Sequence, residues 1–251
     1  MNKMSRGLLS LATPTALLGV WGALGDPASP VAPPPQTWLT QAAVMLAAGD
    51  LQLAVLATLK TVLLSTLVAG MAGTVMGATL GARRAVSDTV APTLEFLRSI
   101  PPPTIVPVAM LLIGAGTGLD ITVVALATVW PVMLNVLQAT RSIHPTLIST
   151  GHTLRLSPWS RVRNIYVPCI LPGVIAGLRV AAPLAIIVAL LVEMLATRPG
   201  IGRLLLTAQR DFDAPGVFAL LLTVGLIGVA VNGAFEWLER SAARRLPNAM
   251  R

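Results

Sequence analysis

Six apolar stretches of about 18 residues or more restrict this chain to a fold that lies in a membrane. The hydrocarbon core of a bilayer is about 30 Å thick, which a helix crosses in about 20 residues. Backbone amides that face lipid must find their hydrogen bonds within the segment, so these stretches are predicted to be helices rather than strands. The sequence therefore predicts an all-α integral membrane protein whose spans are 7–24, 53–80, 90–113, 119–138, 173–195 and 216–236.

The charged residues support a membrane location and orient the spans. Only 11% of the 251 residues are charged, against about 25% in soluble domains. A net charge of +8 in a soluble protein would point to nucleic acid, but Lys and Arg in a membrane protein mark the cytoplasmic loops. Of the 18 basic residues, twelve fall on one side of the spans and three, Arg198, Arg203 and Arg210, on the other. Both termini are therefore predicted to be cytoplasmic.

The first span has two interpretations. Lys3 and Arg6, followed by an apolar run that ends at Gly25, are also typical of a cleaved signal peptide. A retained span gives the even number that the charge asymmetry requires, whereas cleavage would leave five. The stretch 26–38 is rich in proline and is predicted to be an extended linker on the outer side.

The second span carries glycines at intervals of four residues. Gly73, Gly77 and Gly81 follow this spacing, and Gly70 lies one turn earlier. Small residues at this spacing let the backbone of another helix approach closely. We expect close helix packing here, by a helix of this chain or of another. The alternative is that the glycines are merely tolerated in a membrane helix.

Four of the prolines in the third span, Pro101, Pro102, Pro103 and Pro107, lie close together. Prolines remove hydrogen-bond donors and interrupt a helix. One interpretation is a helix broken at membrane depth beside a solute path, with Pro103 and Pro107 as candidate path or gate residues. The other is an interfacial helix over 91–100, after which the prolines begin the true span. Glu95 and Arg98 are three residues apart and are predicted to pair on one helix face.

Glu193 is an acidic residue near the outer end of the fifth span. A carboxylate within a membrane segment is a functional hypothesis by default, so Glu193 is a third candidate path or gate residue. A structural role, including an ion pair with an arginine of the next loop, is the favoured interpretation. The chain has one cysteine, Cys169, and no metal-binding C-x-x-C or H-E-x-x-H motif. We predict no catalytic residue, metal or cofactor in this chain.

The segment 145–168 is basic and lies between two spans. Pro145 can open a short helix. Ser157 is a suitable N-cap for a second helix with Pro158 at its first position, and this helix is predicted to end near Pro168. A solvated basic loop is the alternative to a partner-binding element. The residues predicted to bind a partner are Gly151, Arg155, Ser157, Pro158, Trp159, Arg161, Val162 and Tyr166, with Trp159, Val162, Ile165 and Tyr166 on one apolar face.

From about residue 50 to 245, the chain resembles the permease subunits of bacterial type I ABC importers, especially the nitrate/sulfonate/taurine branch. The matching stretches are LEFLRSIPPPTIVPVAMLLIGAG, GLRVAAPLAIIVALLVEML, PGIGRLLLTAQ and the loop before the fifth span. The family signature in that loop is Glu-Ala-Ala, three residues, Gly, nine residues, then Ile-x-Leu-Pro. This chain has Ser149-Thr150-Gly151, Arg155 and Ile165-Tyr166-Val167-Pro168 at these positions. The end of the signature matches, whereas the glutamate and the glycine are replaced.

The resemblance implies that 145–168 contains the coupling helix, which sits in a cleft of a separate ATPase. It also implies two permease copies, a solute-binding protein outside, and a location in the cell inner membrane. ATP and Mg²⁺ would be bound by the partner, and the chain has no G-x-x-x-x-G-K-[ST] motif. The solute would be a small anion such as a sulfonate, taurine or nitrate, and an importer permease for a different small solute is the alternative.

The resemblance also divides the chain into three parts. An N-terminal span and linker occupy 1–50, the core permease domain occupies 51–245, and a cytoplasmic tail occupies 246–251. Two other classes compete with this interpretation. An ion-coupled secondary transporter would need acidic or histidine relays within the spans, and a membrane enzyme would need a cluster of catalytic side chains.

Overall fold

The computed structural model describes residues 3–27, 29 and 31–245, and all regular structure in these ranges is helical. The predicted tail at 246–251 lies outside them. The elements are α1 Lys3–Leu24, α2 Pro35–Ala48, α3 Asp50–Ala82, α4 Arg84–Ser99, α5 Pro102–Ile113, α6 Thr117–Arg141, α7 Pro145–Thr153, α8 Pro158–Arg161, a π turn Val162–Tyr166, α9 Val167–Leu195, α10 Ile201–Arg210 and α11 Ala214–Arg245.

Four helices are long and apolar enough to cross a membrane, which confirms predicted spans two, four, five and six. They are α3, α6, the continuous helix Pro158–Leu195 and residues Ala214–Ser241 of α11. The third predicted span, 90–113, is divided into α4 and α5, which meet at 89°. The first predicted span, 7–24, lies in α1, where Thr15–Leu24 forms a shorter apolar helix. The described ranges thus hold four uninterrupted spans, or five with the bent pair, rather than six.

Consecutive prolines cause the bend between α4 and α5. Ile100 and Pro101 are both in the extended region, with ψ angles of 120° and 130°, because a residue that precedes proline avoids the helical region. The 12 residues of α5 rise about 18 Å, which is less than the roughly 30 Å thickness of the hydrocarbon core. The helix is therefore broken at the prolines, and α5 alone does not cross the membrane.

Helix α6 forms the centre of the bundle and packs against α3, which runs parallel to it, and against α9, which runs antiparallel and also contacts α3. A Cβ atom at Gly73 would lie 2.8 Å from Val132 Cβ, and one at Gly77 would lie 2.8 Å from Val136 Cβ. Gly81 faces Thr140 one turn further along α6. The close partner of these glycines is therefore α6 of the same chain. Gly70 faces Leu178 of α9, at 3.1 Å from a Cβ built on the glycine.

The predicted linker at 26–38 is helical in its last part. Pro35 begins α2, because its fixed φ angle and missing amide hydrogen are both compatible with a helix N-terminus. Trp38 of this helix stacks on Phe218 of α11 with ring centroids 4.7 Å apart. Trp21 of α1 contacts both rings edge-on. The aromatic cluster joins α1 and α2 to α11.

The helix that starts at Pro158 does not end near Pro168, as the sequence had predicted, but continues to Leu195. The π turn precedes Pro168, and within it the Val167 amide donates to the Val162 carbonyl. A π turn is wider than an α turn and leaves room for the proline ring beside the preceding carbonyls. The rule that a proline ends a helix fails here because the turn geometry changes first.

Candidate coupling segment and transport groove

The 145–168 segment is built as a short helix, a turn and the start of a long helix. The side chain of His144 accepts a hydrogen bond from the Thr146 amide at 3.3 Å and caps α7. Ser157 Oγ accepts from the Ser160 amide at 3.2 Å and caps α8. Pro158 follows at the first helical position. The helix starts at Pro145 and at Ser157-Pro158 are therefore where the sequence predicts them.

One side of this segment is attached to the bundle. Ile165 and Tyr166 pack against a buried cluster that includes Val132, Ile143 and Ile170. Gly151 is buried, and a Cβ atom there would lie 2.8 Å from Ile165 Cδ1. A larger side chain at position 151 would therefore push α7 away from the π turn.

The other side of the segment is apolar and open. Trp159 is 73% exposed and Leu154 is 65% exposed. Val162 is also exposed, whereas Ile165 and Tyr166 face the core. The predicted single apolar face is therefore wrong, because the π turn rotates the residues after it relative to those before it. The segment has one apolar side in the bundle and another in solvent.

Two basic residues of the segment have different surroundings. Arg161 lies over Gly151, and its Nη1 is 2.9 Å from Nε2 of His152. Arg155, at the position of the family glycine, is exposed and has a φ angle of +50°. Glycine adopts this left-handed region readily, whereas other residues adopt it at a cost. The chain keeps a glycine-like backbone at this position without the glycine.

At the opposite end of α9, Glu193 is buried with 1% exposure. Its Oε2 accepts hydrogen bonds from Thr58 Oγ1 at 3.0 Å and from the Gly202 amide at 2.8 Å. Thr58 Oγ1 in turn accepts from the Ile201 amide at 3.0 Å. We call Thr58, Glu193 and these two amides the polar anchor. It joins α3, α9 and the N-terminus of α10.

The predicted ion pair between Glu193 and an arginine of the next loop is wrong. Arg198 Nε instead donates to Asp120 Oδ2 of α6 at 3.2 Å. Gly200 lies so close to the Glu193 carboxyl that a Cβ atom would overlap it. The loop reaches Glu193 through backbone amides because the approach leaves no space for a side chain. Sequence reasoning missed Asp120, which directly follows a Gly-rich turn.

A groove runs along α6 beneath α4. It consists of two cavities of about 830 Å³ and 190 Å³ that share Leu94, Arg98, Trp130 and Leu134. The larger reaches Ile121 of α6 and the smaller reaches Leu137. We call this feature the α4–α6 groove. It follows α6 from Ile121 to Leu137, or about 24 Å of helix.

The three residues predicted to line a path or gate, Pro103, Pro107 and Glu193, are not among the described lining residues of the groove. Pro103 and Pro107 lie in α5, but Pro102 and Ile105 line the groove in their place. Glu193 does not belong to the lining within the described part of the chain. The structure brings none of the three candidates into one site.

Arg98 and Glu95 face each other at the junction of the two cavities. Arg98 Nη2 is 3.9 Å from Glu95 Oε1, and both side chains are at least half exposed. The start of α4 is fixed by Arg141 Nη2, which donates to Ser87 Oγ at 2.8 Å. Trp130, a lining residue that the sequence did not single out, lies beside Arg98. The predicted Glu95–Arg98 pair is present, although it is long.

Several membrane-length helices, a groove along the central one and an apolar segment projecting at one end define a multi-pass transport permease. The sequence agrees with this class: residues 69–244 match the family described as "Binding-protein-dependent transport system inner membrane component". The chain belongs to this family. Within it, the relatives include permeases named for nitrate, aliphatic sulfonates and bicarbonate, which places the chain in the nitrate/sulfonate branch.

Individual relatives cover most of the chain at modest identity. A probable ABC transporter permease of Brucella melitensis biotype 1 is 28% identical over 96% of this chain and 98% of its own length. The nitrate import permease NrtB of Synechococcus elongatus is 27% identical over 76% of this chain and 69% of its own length. Among solved structures, the inward-facing MetNI methionine ABC transporter matches with a TM-score of 0.60, covering 76% of this chain and 96% of its own at 19% identity. That similarity shows the type I importer permease fold.

Proposed function

We propose that this permease forms the solute path of an ATP-driven importer, and that its 145–168 segment docks on a separate ATPase subunit. The observation that carries the proposal is the exposed apolar side of the segment, with Trp159 and Leu154 at its centre. Large apolar groups outside a membrane segment mark contact sites for other proteins, and buried tryptophans dominate interface energies.

The attachment of the segment supports force transmission. Ile165 and Tyr166 are packed in the bundle while Trp159 projects from the same continuous helix. A partner that holds Trp159 would therefore act on α9 without an intervening loop. Family members are components of binding-protein-dependent systems, so an ATPase and a solute-binding protein are the partners that the family implies.

For the solute, we propose a small organic or inorganic anion such as a sulfonate, taurine or nitrate. The permeases most similar in sequence include one named for nitrate. The described lining of the groove contains one cation, Arg98, and one carboxylate, Glu95, which lines the smaller cavity only, so Arg98 is the one charged residue among the described lining residues of the larger cavity. A cation beside a solute path favours anions.

The assembly that we propose contains two copies of the permease, two ATPase subunits on the cytoplasmic side and a binding protein on the outer side of the inner membrane. Pro103, Pro107 and Glu193 remain proposed path or gate residues. Both termini and the 145–168 segment are placed in the cytoplasm, as the distribution of basic residues indicates.

The docking proposal is tested by replacing Trp159 with Ala and measuring how much ATPase copurifies from membranes. We expect loss of at least about 2 kcal/mol of interface energy, seen as release of the ATPase or as hydrolysis that the solute no longer stimulates. Arg155→Glu, which reverses a charge at an exposed position of the same segment, is expected to act in the same direction.

Trp237→Ala is the matched control, because Trp237 is 68% exposed but lies on α11. It should leave the copurified ATPase unchanged. If Trp159→Ala and Arg155→Glu both retain the ATPase with full stimulation, the 145–168 segment is not the coupling element.

Orientation is tested by labelling single cysteines in intact cells after replacement of Cys169. A cysteine at Asp213 should react with an impermeant reagent from outside, and one at Ser157 should not. Labelling at Ser157 from outside would reverse the proposed orientation.

A further inference from the structure

We infer that the α4–α6 groove carries an organic anion with an apolar body, and that Arg98 binds its acidic group. The inference rests on the proposed function and narrows the proposed solute from small anions in general to organic anions. It is drawn from the depth of Arg98, the chemistry of the groove lining and the continuity of the two cavities.

Arg98 lies at membrane depth. The start of α4 is held beside Arg141 at the end of α6 by the hydrogen bond to Ser87. Arg98 is beside Trp130, eleven residues before Arg141, which corresponds to about 16 Å of helix. Charged side chains at such depth are costly in lipid and face protein or an aqueous path. The two cavities place Arg98 on the path.

Arg98 is available to a ligand. Its ion pair with Glu95 is 3.9 Å long, and half of the Arg98 side chain is exposed. An arginine has five donors in a fixed plane, which match the oxygens of a sulfonate or carboxylate. The long contact with Glu95 leaves most of these donors free for such a group.

The remaining lining is unsuited to a small inorganic anion. Apart from Arg98, the described lining of the larger cavity contains only Thr122 and Trp130 with polar side-chain atoms. An inorganic anion that leaves water needs several donors in place of its hydration shell. An apolar body, by contrast, gains free energy in proportion to the apolar area that it buries.

The size of the groove agrees with this ligand. A cavity of about 830 Å³ lies within the range of about 300–1,000 Å³ of small-molecule sites. The smaller cavity continues past Arg98 to Ser87 and Leu137, near the end of α6. An anion bound at Arg98 would have its apolar body in the larger cavity and its exit along the smaller one.

The test uses naphthalene-2-sulfonate as the probe and the full chain, purified with its ATPase, in phosphatidylcholine nanodiscs. Equilibrium dialysis should show saturable binding. Arg98→Gln should weaken binding by about tenfold or more, since the lost hydrogen bonds are to charged groups, while Arg98→Lys, which keeps the charge but loses the planar set of donors, should weaken it less than Arg98→Gln does. Neutral 2-naphthalenemethanol should bind at least about tenfold more weakly, and nitrate in large excess should not displace the probe.

Two variants control this test. Arg84→Gln removes an arginine of the same helix that does not line the groove, and binding should be unchanged. Trp130→Phe should keep binding, because a phenyl ring preserves most of the apolar surface at this point of the groove. Melting temperatures establish that each variant is folded.

Three results would overturn the inference: equal binding by Arg98→Gln, displacement of the probe by nitrate in large excess, or loss of probe binding when the discs contain phosphatidylglycerol. The last result would assign the groove to an anionic lipid. Failure of the proposed function is recognised separately, because then the ATPase would not copurify even where the probe binds.

Discussion

At one end of the helix Pro158–Leu195 the buried Glu193 carboxyl accepts hydrogen bonds from Thr58 and Gly202, whereas at the other end Trp159 is 73% exposed. The polar anchor uses groups that are costly to bury unless they are paired, and it pairs Glu193 Oε2 within the chain while Glu193 Oε1 is buried without a partner. The 145–168 segment instead leaves apolar side chains in solvent, where they contribute no free energy of burial to the fold.

The difference separates a structural site from a binding site. A buried polar group with partners inside the chain contributes to holding helices together. An exposed tryptophan retains about 2 kcal/mol of transfer free energy for a later partner. The positions of both ends depend on the packing of α3 and α9 against α6, which we call the frame.

The largest effect is expected from damage to that frame. Gly77→Leu places a side chain where Val136 Cβ already lies 2.8 Å from a built Cβ, so α3 and α6 must separate, at a cost of about 3 kcal/mol or more. The fraction of monodisperse protein in detergent should fall steeply. Gly225→Leu is the control, because a Cβ on Gly225 meets no atom within 4 Å. If both variants behave like the parent, the glycines are passive and the frame is not tightly packed.

The next effect distinguishes the two ends. Glu193→Ala leaves the Gly202 amide and the Thr58 hydroxyl without their acceptor and should lower the free energy of unfolding by about 3 kcal/mol. Glu193→Gln keeps an oxygen acceptor and should cost about 1 kcal/mol or less. Thermal unfolding in detergent measures both. An alanine variant as stable as the parent would show that the hydrogen bonds of Glu193 do not hold the helices together.

Glu193→Gln also separates a structural role from a role in the path. If that variant is stable and transports normally, the contribution of Glu193 is structural. If it is stable but transports no solute, the carboxyl acts in transport, as a gate residue would.

The smallest effect concerns the turn of the 145–168 segment. Arg155→Gly removes the cost of a positive φ angle and should stabilise the turn by about 0.5–1 kcal/mol after the added freedom of the unfolded chain is counted. Arg163→Gly, at an exposed position of the π turn, should instead destabilise by about 1 kcal/mol. Hydrogen exchange of the amides around residues 145–157 measures the difference. Equal protection in the two variants would show that the backbone at Arg155 is unstrained.

The long spans could be predicted because apolar length and backbone pairing are local properties. The spacing of Gly73, Gly77 and Gly81 predicted close packing, but the partner helix could not be read from local sequence. The partners of Glu193 were also inaccessible, since Thr58 is 135 residues away and Gly202 contributes only a backbone amide. A backbone amide is present at every residue except proline, so the pattern of side chains does not predict which amide will donate to Glu193.

Two predictions were inaccurate for the same reason: each relied on a local rule for proline. The helix end predicted near Pro168 is wrong because the π turn makes room for the ring, and the predicted linker ends earlier than expected because Pro35 begins a helix. A proline restricts its own φ angle and removes one donor. Whether it ends or begins a helix depends on the turn around it, which tertiary packing decides.

The continuity of the helix through the π turn has a mechanical consequence. Its 38 residues span about 57 Å, with Trp159 near one end and Glu193 near the other. Such a rod behaves as a lever: a rotation of about 5° around its midpoint moves each end by about 2.5 Å, in opposite directions. The end displacement is enough to lengthen a 2.8 Å hydrogen bond such as that from Gly202 beyond its working range. Torque applied at the tryptophan would be carried to the Glu193 end along one continuous helix.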